Sequence, residues 1–416
     1  MRRRFALAAV WSLLCVAPGI VAADGAAPRF RADGPDASAY GQPDDYPRCA
    51  TYARDQRCLV GVLSGFDKMF PSRTIPAASA PSPLRRAARE ATLIYESAGA
   101  RMTADDYLER NPVTGLLIAK GDTIVFERYQ YARTDRDRFA SYSMAKTIVG
   151  LLIGIGLADG TIRSIDDPAE TYVSPLKGTE YGRTPIKALL RMSSGVSFRE
   201  EYGGNDDIAT LARLTLGQHP GGGLEALKRF NTRLADRGER YSYSSAETLV
   251  LGLVLTHATG MSLSEYARRK LWEPLGAEAE ATWLIDGAGH EIAFGYFNAV
   301  LRDWARLGLM LAHNGVWRGK VLVPADWLHV ATSVALADHH LKAGVAHPLF
   351  GFGYQVWILP GERRVFALRG VRGQAVIVDP ASNLVLVQTA VRLRAGDLYA
   401  DGELLALWGA VSRQFR

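Results

Sequence analysis

The sequence predicts an α+β fold. Three observations point to it: strand-like runs lie at both ends of the body of the chain, helical patterns fill the middle, and the strand runs are joined by tight turns rather than by helices. Short turns join antiparallel neighbours, and segregated helices argue against a doubly wound parallel sheet. The expectation is one antiparallel sheet built from both ends, flanked by helices, with a mostly helical second lobe and a groove between them.

The first 26 residues, "MRRRFALAAVWSLLCVAPGIVAADGA", have a basic start, an apolar centre and small residues at Val21 and Ala23. This is the pattern of a secretory signal peptide over residues 1–23, cleaved after Ala23. It predicts a periplasmic or secreted protein with no stable membrane span after cleavage, since no later run is long and apolar enough. Cys15 leaves with the signal, so the mature chain keeps Cys49 and Cys58. An even pair in an exported chain suggests one local disulfide. Residues 24–95 are rich in Pro, Ala, Ser and Asp, and read as an extended segment wrapped over the body.

The body, residues 96–416, opens with "TGLLIAKGDTIVFERYQY", two β-rich runs around Gly121-Asp122 that predict a hairpin. A helix starts near Ser143. Helical patterns follow in "TPIKALLRM", "DIATLARLTL", "SAETLVLGLVLTHATG", "LSEYARRKLWEPL" and "VLRDWARLGLMLAHNG". Strands return in "FGYQVWIL", "RRVFALRG", "QAVIVD" and "NLVLVQTA", the last two joined by the turn "DPASN". An apolar-periodic helix, "GELLALWGAVSRQF", closes the chain.

Composition excludes some functions. The 416 residues carry a formal charge of +6, modest for the length, and the basic residues form no run of the kind that tracks nucleic acid. No Gly-x-Ser-x-Gly elbow and no His-Glu-x-x-His zinc motif occurs. His339, His340 and His347 lack a carboxylate or cysteine at ligand spacing and read as a solvated loop, so neither metal nor cofactor is expected. "HPGGGLEAL" has no Lys-Ser/Thr after its glycines and is no phosphate loop.

Candidate chemistry sits in "SYSMAKTIVGLLIGIGLA". Ser143 and Lys146 are three apart, so a helix places them on one face. The run after them is apolar almost all round, as in a buried helix. Desolvation there would lower the lysine pKa until it can accept a proton. A serine at a helix start also has free backbone N–H groups nearby to hold an oxyanion. Taken alone, the pair admits a second reading, in which Ser143 merely caps the helix and Lys146 snorkels to water. A second match, Ser174 to Lys177, contains Pro175 and reads as a loop.

Two further segments bear on the choice. Tyr243-Ser244-Ser245 precedes another apolar helix, and Leu368-Arg369-Gly370 lies on a strand before a glycine-containing turn. The ordered set resembles the motifs of the serine β-lactamase and penicillin-binding-protein superfamily, Ser-x-x-Lys, Tyr-x-Asn or a variant, and a Gly-containing triad. Flanking residues, including "LADGTIRSIDDPAETYV" and "ALLRMSSGVSF", resemble the class C branch, which also holds esterases and 6-aminohexanoate-dimer hydrolases.

The resemblance implies a β-lactamase/transpeptidase-like fold and an acyl-enzyme on Ser143, with Lys146 and Tyr243 sharing the proton transfers. It implies backbone N–H groups of Ser143 and Val371 for the oxyanion, and Tyr202, Ser245, Gly370 and Arg372 near the substrate. The substrate expected is a small amide or ester. Two departures matter. Ser245 stands where many β-lactamases have asparagine, and Leu368-Arg369-Gly370 stands where Lys-Thr-Gly is usual. The second removes a cation that normally helps hold a substrate carboxylate. The alternatives are a β-lactamase, a D-alanyl-D-alanine peptidase, or a non-catalytic sensor on the same fold.

Overall fold

The computed structural model describes residues 30, 32–51 and 54–416. The expected signal peptide and its cleavage point lie outside them.

An eight-stranded sheet forms the centre. Its strands are β1 (Arg85–Arg86), β2 (Val113–Lys120), β3 (Thr123–Tyr129), β4 (Gly351–Phe352), β5 (Trp357–Ile358), β6 (Phe366–Gly370), β7 (Gln374–Asp379) and β8 (Leu384–Ala390). They lie in the order β4-β5-β6-β7-β8-β2-β3-β1, so both ends of the body meet where β8 pairs with β2. All pairings are antiparallel except β1 with β3. The predicted hairpin is present, with Lys120 opposite Thr123 across Gly121 and Asp122.

Strands β2 and β8 are buried on both faces, which is why they read as continuous apolar runs instead of alternating ones. One face carries Leu117, Leu368, Val376, Val385 and Val387, and packs with helices α1 (Met144–Ala158), α2 (Ser245–Thr259) and α3 (Leu301–Ala312) in one core. The other face carries Leu116, Ile118, Ile377 and Leu386, and packs on α4 (Leu398–Gln414) through Leu404, Leu407, Trp408 and Val411. The fold is therefore α+β, with the sheet between helical layers.

The structure departs from the sequence reading in two places. The N-terminal segment is not simply wrapped over the surface. Its Leu59–Leu63 helix is wholly buried, Phe66 has no exposed surface, and Ser72–Ile75 pairs with Ala281–Leu284. That pairing edges a second, four-stranded sheet completed by Phe297–Val300 and Arg138–Ala140. These strands are three or four residues long, too short for a periodic signal. Cys49 and Cys58 are joined by a disulfide. Among the described residues no single helix is long and apolar enough to cross a membrane; one bent helix pair passes by length and composition, and most of its first member is buried in the core.

Candidate active site

Ser143 is the residue before the first turn of α1, and its side chain makes no capping bond. The simple capping reading therefore fails. Tyr142, just before it, has φ 41°, in the left-handed region that costs a non-glycine residue about 1–3 kcal/mol. The surroundings hold it there. The Ser141 N–H donates to the Phe297 carbonyl at 2.8 Å, and the Ser141 hydroxyl accepts from the Phe297 N–H at 3.0 Å. This turn leads directly into Ser143, whose Oγ lies within hydrogen-bond reach of Lys146.

Lys146 is 2% exposed, so it does not snorkel. Its Nζ lies 3.0 Å from Ser143 Oγ, 3.0 Å from Ser245 Oγ and 2.8 Å from the Phe294 carbonyl oxygen. Burial lowers its pKa to about 8, and the Glu200 carboxylate opposes that fall. At pH 7 roughly a tenth of the side chain is then neutral.

Tyr243 stands at the head of α2. Lys146 Nζ is 5.2 Å from the centre of its ring, and the nearby Ser143 hydroxyl acts to lower its pKa. Trp357 stacks on it at 5.5 Å, and Phe352 meets it edge-on at 6.1 Å. Burial first, and then the Glu200 charge, hold the phenol pKa far above its ordinary value. At neutral pH Tyr243 is a proton donor.

Ser245, also buried, lies between Lys146 and Glu200. Glu200 Oε2 accepts from the Ser245 N–H at 2.7 Å, and its Oε1 accepts from the Ser245 hydroxyl at 2.8 Å. Tyr202 donates its hydroxyl to the same Oε1 at 2.6 Å, and the residue as a whole is 42% exposed. The structure thus brings Ser143, Lys146, Tyr243, Ser245 and Tyr202 into one cluster.

Gly370 ends β6 against the same turn. A Cβ there would stand 2.4 Å from the Ser141 carbonyl oxygen and 3.1 Å from Tyr142 Cβ, so only glycine allows this approach. Val371 follows it, opening the short turn between β6 and β7. Leu368 is buried in the core shared with α1. Arg369, on the other face, pairs with Asp401 and lies over the Phe350 ring at 4.1 Å. Arg372 is placed elsewhere: its guanidinium donates to the carbonyls of Arg392 and Leu393 at 2.9 and 2.8 Å, which directs it toward the loop after β8.

Sequence reasoning missed Glu200, the Phe294 carbonyl and the Trp357 stack. Glu200 had no local signal, because its partner Ser245 lies 45 residues away and Tyr202 beside it has a left-handed backbone, φ 60°, that breaks strand alternation. A backbone carbonyl has none either. Among the described residues, the one group with metal-ligand proximity is Cys49, Asp55 and Cys58, and both sulfurs are consumed by the disulfide.

The chain and its fold are similar to known proteins. A family model described as Beta-lactamase matches residues 100–405. The 6-aminohexanoate-dimer hydrolase of Paenarthrobacter ureafaciens is 26% identical over 290 residues, spanning 68% of this chain and 73% of that protein. A solved structure from Bacillus anthracis, provisionally assigned as a 6-aminohexanoate-dimer hydrolase, superposes with a TM-score of 0.77 at 21% identity, covering 86% of this chain and 95% of the other. EstCE1, described as a hydrolase with promiscuous acyltransferase activity, superposes with a TM-score of 0.58 at 17% identity, over 74% of this chain and 95% of its own.

Proposed function

The chain belongs to the beta-lactamase family of serine hydrolases, and from that premise we propose that it cleaves a linear amide or an ester through an acyl-enzyme on Ser143. The observation that carries the proposal is the 3.0 Å approach of a fully buried Lys146 to Ser143 Oγ. Serine is a poor nucleophile without a base beside it.

Lys146, in its neutral form, takes the Ser143 proton as Oγ bonds to the substrate carbonyl carbon. The oxyanion that forms is held by the N–H groups of Ser143 and Val371. On collapse the carbonyl carbon releases its nitrogen or oxygen. Tyr243 donates its proton to that leaving group and takes the one held by Lys146. Water then gives a proton to Lys146 and attacks the ester carbonyl; the Ser143 bond breaks and the proton returns to Oγ. The high phenol pKa makes Tyr243 the donor in this cycle and leaves Lys146 as the base. No step requires a metal or an organic cofactor.

The substrate class rests on the third motif. A β-lactam presents a carboxylate beside the reacting carbonyl. Here Leu368 offers no charge, Arg369 is paired with Asp401, and Arg372 is bonded to backbone carbonyls. The similarity to 6-aminohexanoate-dimer hydrolase favours a linear amide or ester over a β-lactam or a cell-wall peptide. Loss of one charge-assisted hydrogen bond costs about 1.5–3 kcal/mol, or roughly tenfold to more than a hundredfold in affinity. A screen of nitrocefin, a short-chain p-nitrophenyl ester and aminohexanoate oligomers tests this. Ester or linear-amide efficiency should exceed that of nitrocefin by tenfold or more; equal or faster nitrocefin hydrolysis makes the protein a β-lactamase. Failure of every substrate together with failure of fluorophosphonate labelling would support the non-catalytic sensor.

We further propose export to an oxidising compartment, supported by the signal-like start and the Cys49–Cys58 disulfide. N-terminal sequencing of protein recovered outside the cytoplasm should begin at Asp24. Recovery of the full-length chain in the cytoplasm overturns the proposal.

A further inference from the structure

The hydrogen bonds around Lys146 have only one consistent set of directions when the amine is neutral, and they are set from Glu200. A carboxylate accepts and never donates. The single proton of the Ser245 hydroxyl is therefore committed to Glu200 Oε1, 2.8 Å away. With its proton spent, Ser245 Oγ can only accept from Lys146 Nζ, at 3.0 Å. The Phe294 carbonyl also only accepts, and takes a second N–H at 2.8 Å. A neutral amine has two N–H bonds and one lone pair. Both N–H bonds are used, and the lone pair is left for the remaining neighbour, Ser143 Oγ at 3.0 Å.

We propose that Glu200 is a positioning residue that acts through Ser245 to aim the lone pair of Lys146 at the Ser143 proton. This rests on the reading of Lys146 as the base. Glu200 reaches neither Ser143 nor the substrate in this role; it fixes which way Ser245 points. The Ser245 N–H and the Tyr202 hydroxyl hold the carboxylate from two further directions, at 2.7 and 2.6 Å, so its position is set independently of Lys146. The Ser245–Glu200 pair also accounts for the departure from asparagine in the central motif. A neutral carboxamide carries a donor and an acceptor on one group, whereas serine alone is ambiguous in direction and needs the carboxylate behind it.

Replacement by glutamine breaks this logic while nearly preserving shape. A glutamine Nε2 can donate to Ser245 Oγ, which frees the serine proton to bond the lone pair of Lys146 and block it. Glu200→Gln also removes the negative charge that holds the Lys146 pKa up. The charged or titratable groups facing Lys146 are Glu200 from the loop before Tyr202, Tyr243 from the head of α2 and, behind Glu200, Tyr202 itself.

The test is the pH profile of p-nitrophenyl acetate hydrolysis by the full mature chain, for wild type, Glu200→Gln, Glu200→Asp, Ser245→Ala and the Glu200→Gln/Ser245→Ala double variant. Glu200→Gln should lower kcat by about tenfold or more, a share of the roughly hundredfold to ten-thousandfold a general base supplies, with KM little changed. Its acid limb should move to lower pH. Glu200→Asp keeps the charge and the acceptor, so it should recover part of kcat and leave the acid limb in place. The double variant should be no slower than the slower single one, because the two residues act as a unit. If Glu200→Gln does not fold, the Glu200→Asp and Ser245→Ala profiles decide between the same outcomes. An unshifted acid limb with unchanged kcat in Glu200→Gln, or single effects that multiply in the double variant, overturns the inference while leaving Ser143 as nucleophile. A wild type that neither turns over nor labels with a fluorophosphonate overturns the Ser143 reading and this inference with it.

Discussion

Phe66 stands edge-on to Tyr142, ring centres 5.9 Å apart and planes at 83°, one residue from the nucleophile. It makes a second edge contact with Tyr296, 5.2 Å away. A segment that precedes the matched family region thus supports the left-handed turn that presents Ser143.

Removing that support should cost both stability and rate. Phe66 is fully buried, and truncating such a phenylalanine to alanine costs about 3–5 kcal/mol. Phe66→Ala should therefore unfold at lower urea and lose kcat in the fraction that remains folded. Phe66→Leu, which keeps most of the volume, should recover most of the stability but less of kcat. Chemical denaturation with kinetics on the same samples checks this, and unchanged kcat in folded Phe66→Ala contradicts it.

The pH profile follows from two shifts of opposite direction. Lys146 must lose its proton to act, and burial lowers its pKa to about 8. Activity should rise tenfold per pH unit below that point and level above it. Tyr243 must keep its proton, and its pKa lies far above the ordinary phenol value, so no loss is expected through pH 10. An acid limb near pH 4–5 would point to a carboxylate base instead.

Glu247 supplies a test of stability away from the reaction. It is buried two residues after Ser245, accepts from the Ser194 hydroxyl at 2.6 Å, and burial raises its pKa to about 8. The unfolded chain has an ordinary carboxyl, near 4.5. The folded state therefore holds this proton more tightly, and the stability it gains is full below about pH 4.5 and lost as pH rises through about 8. Glu247→Gln, neutral at every pH, should match wild type at pH 5 and exceed it at pH 9 by an amount on the order of a few kcal/mol. Urea unfolding at the two pH values measures this; an equal difference at both contradicts it.

The parts of the fold legible in the sequence were those with strong local patterns. The β2–β3 hairpin, the apolar helix after Ser143 and the closing strands each carry periodicity or turn residues within a dozen positions. Ser143 and Lys146 were legible as a pair three apart at the start of an apolar run, which alone left a capping reading open; the choice between readings, and Tyr243, came from the resemblance of the three ordered motifs. What stayed hidden depends on distant partners. Glu200 meets Ser245 across 45 residues, Phe294 gives only a carbonyl, and Phe66 reaches Tyr142 from the N-terminal segment. Arg372, expected near the substrate, is drawn off by carbonyls 20 and 21 residues away. No local composition encodes such contacts.

The most direct test of the account is the site of covalent capture. The mature chain is incubated with a fluorophosphonate, its intact mass is measured, and the modified peptide is sequenced. One adduct on Ser143 is expected, absent in Ser143→Ala and retained in Ser174→Ala, whose serine lies on an exposed turn. An adduct on any other serine, or undiminished labelling of Ser143→Ala, would contradict it.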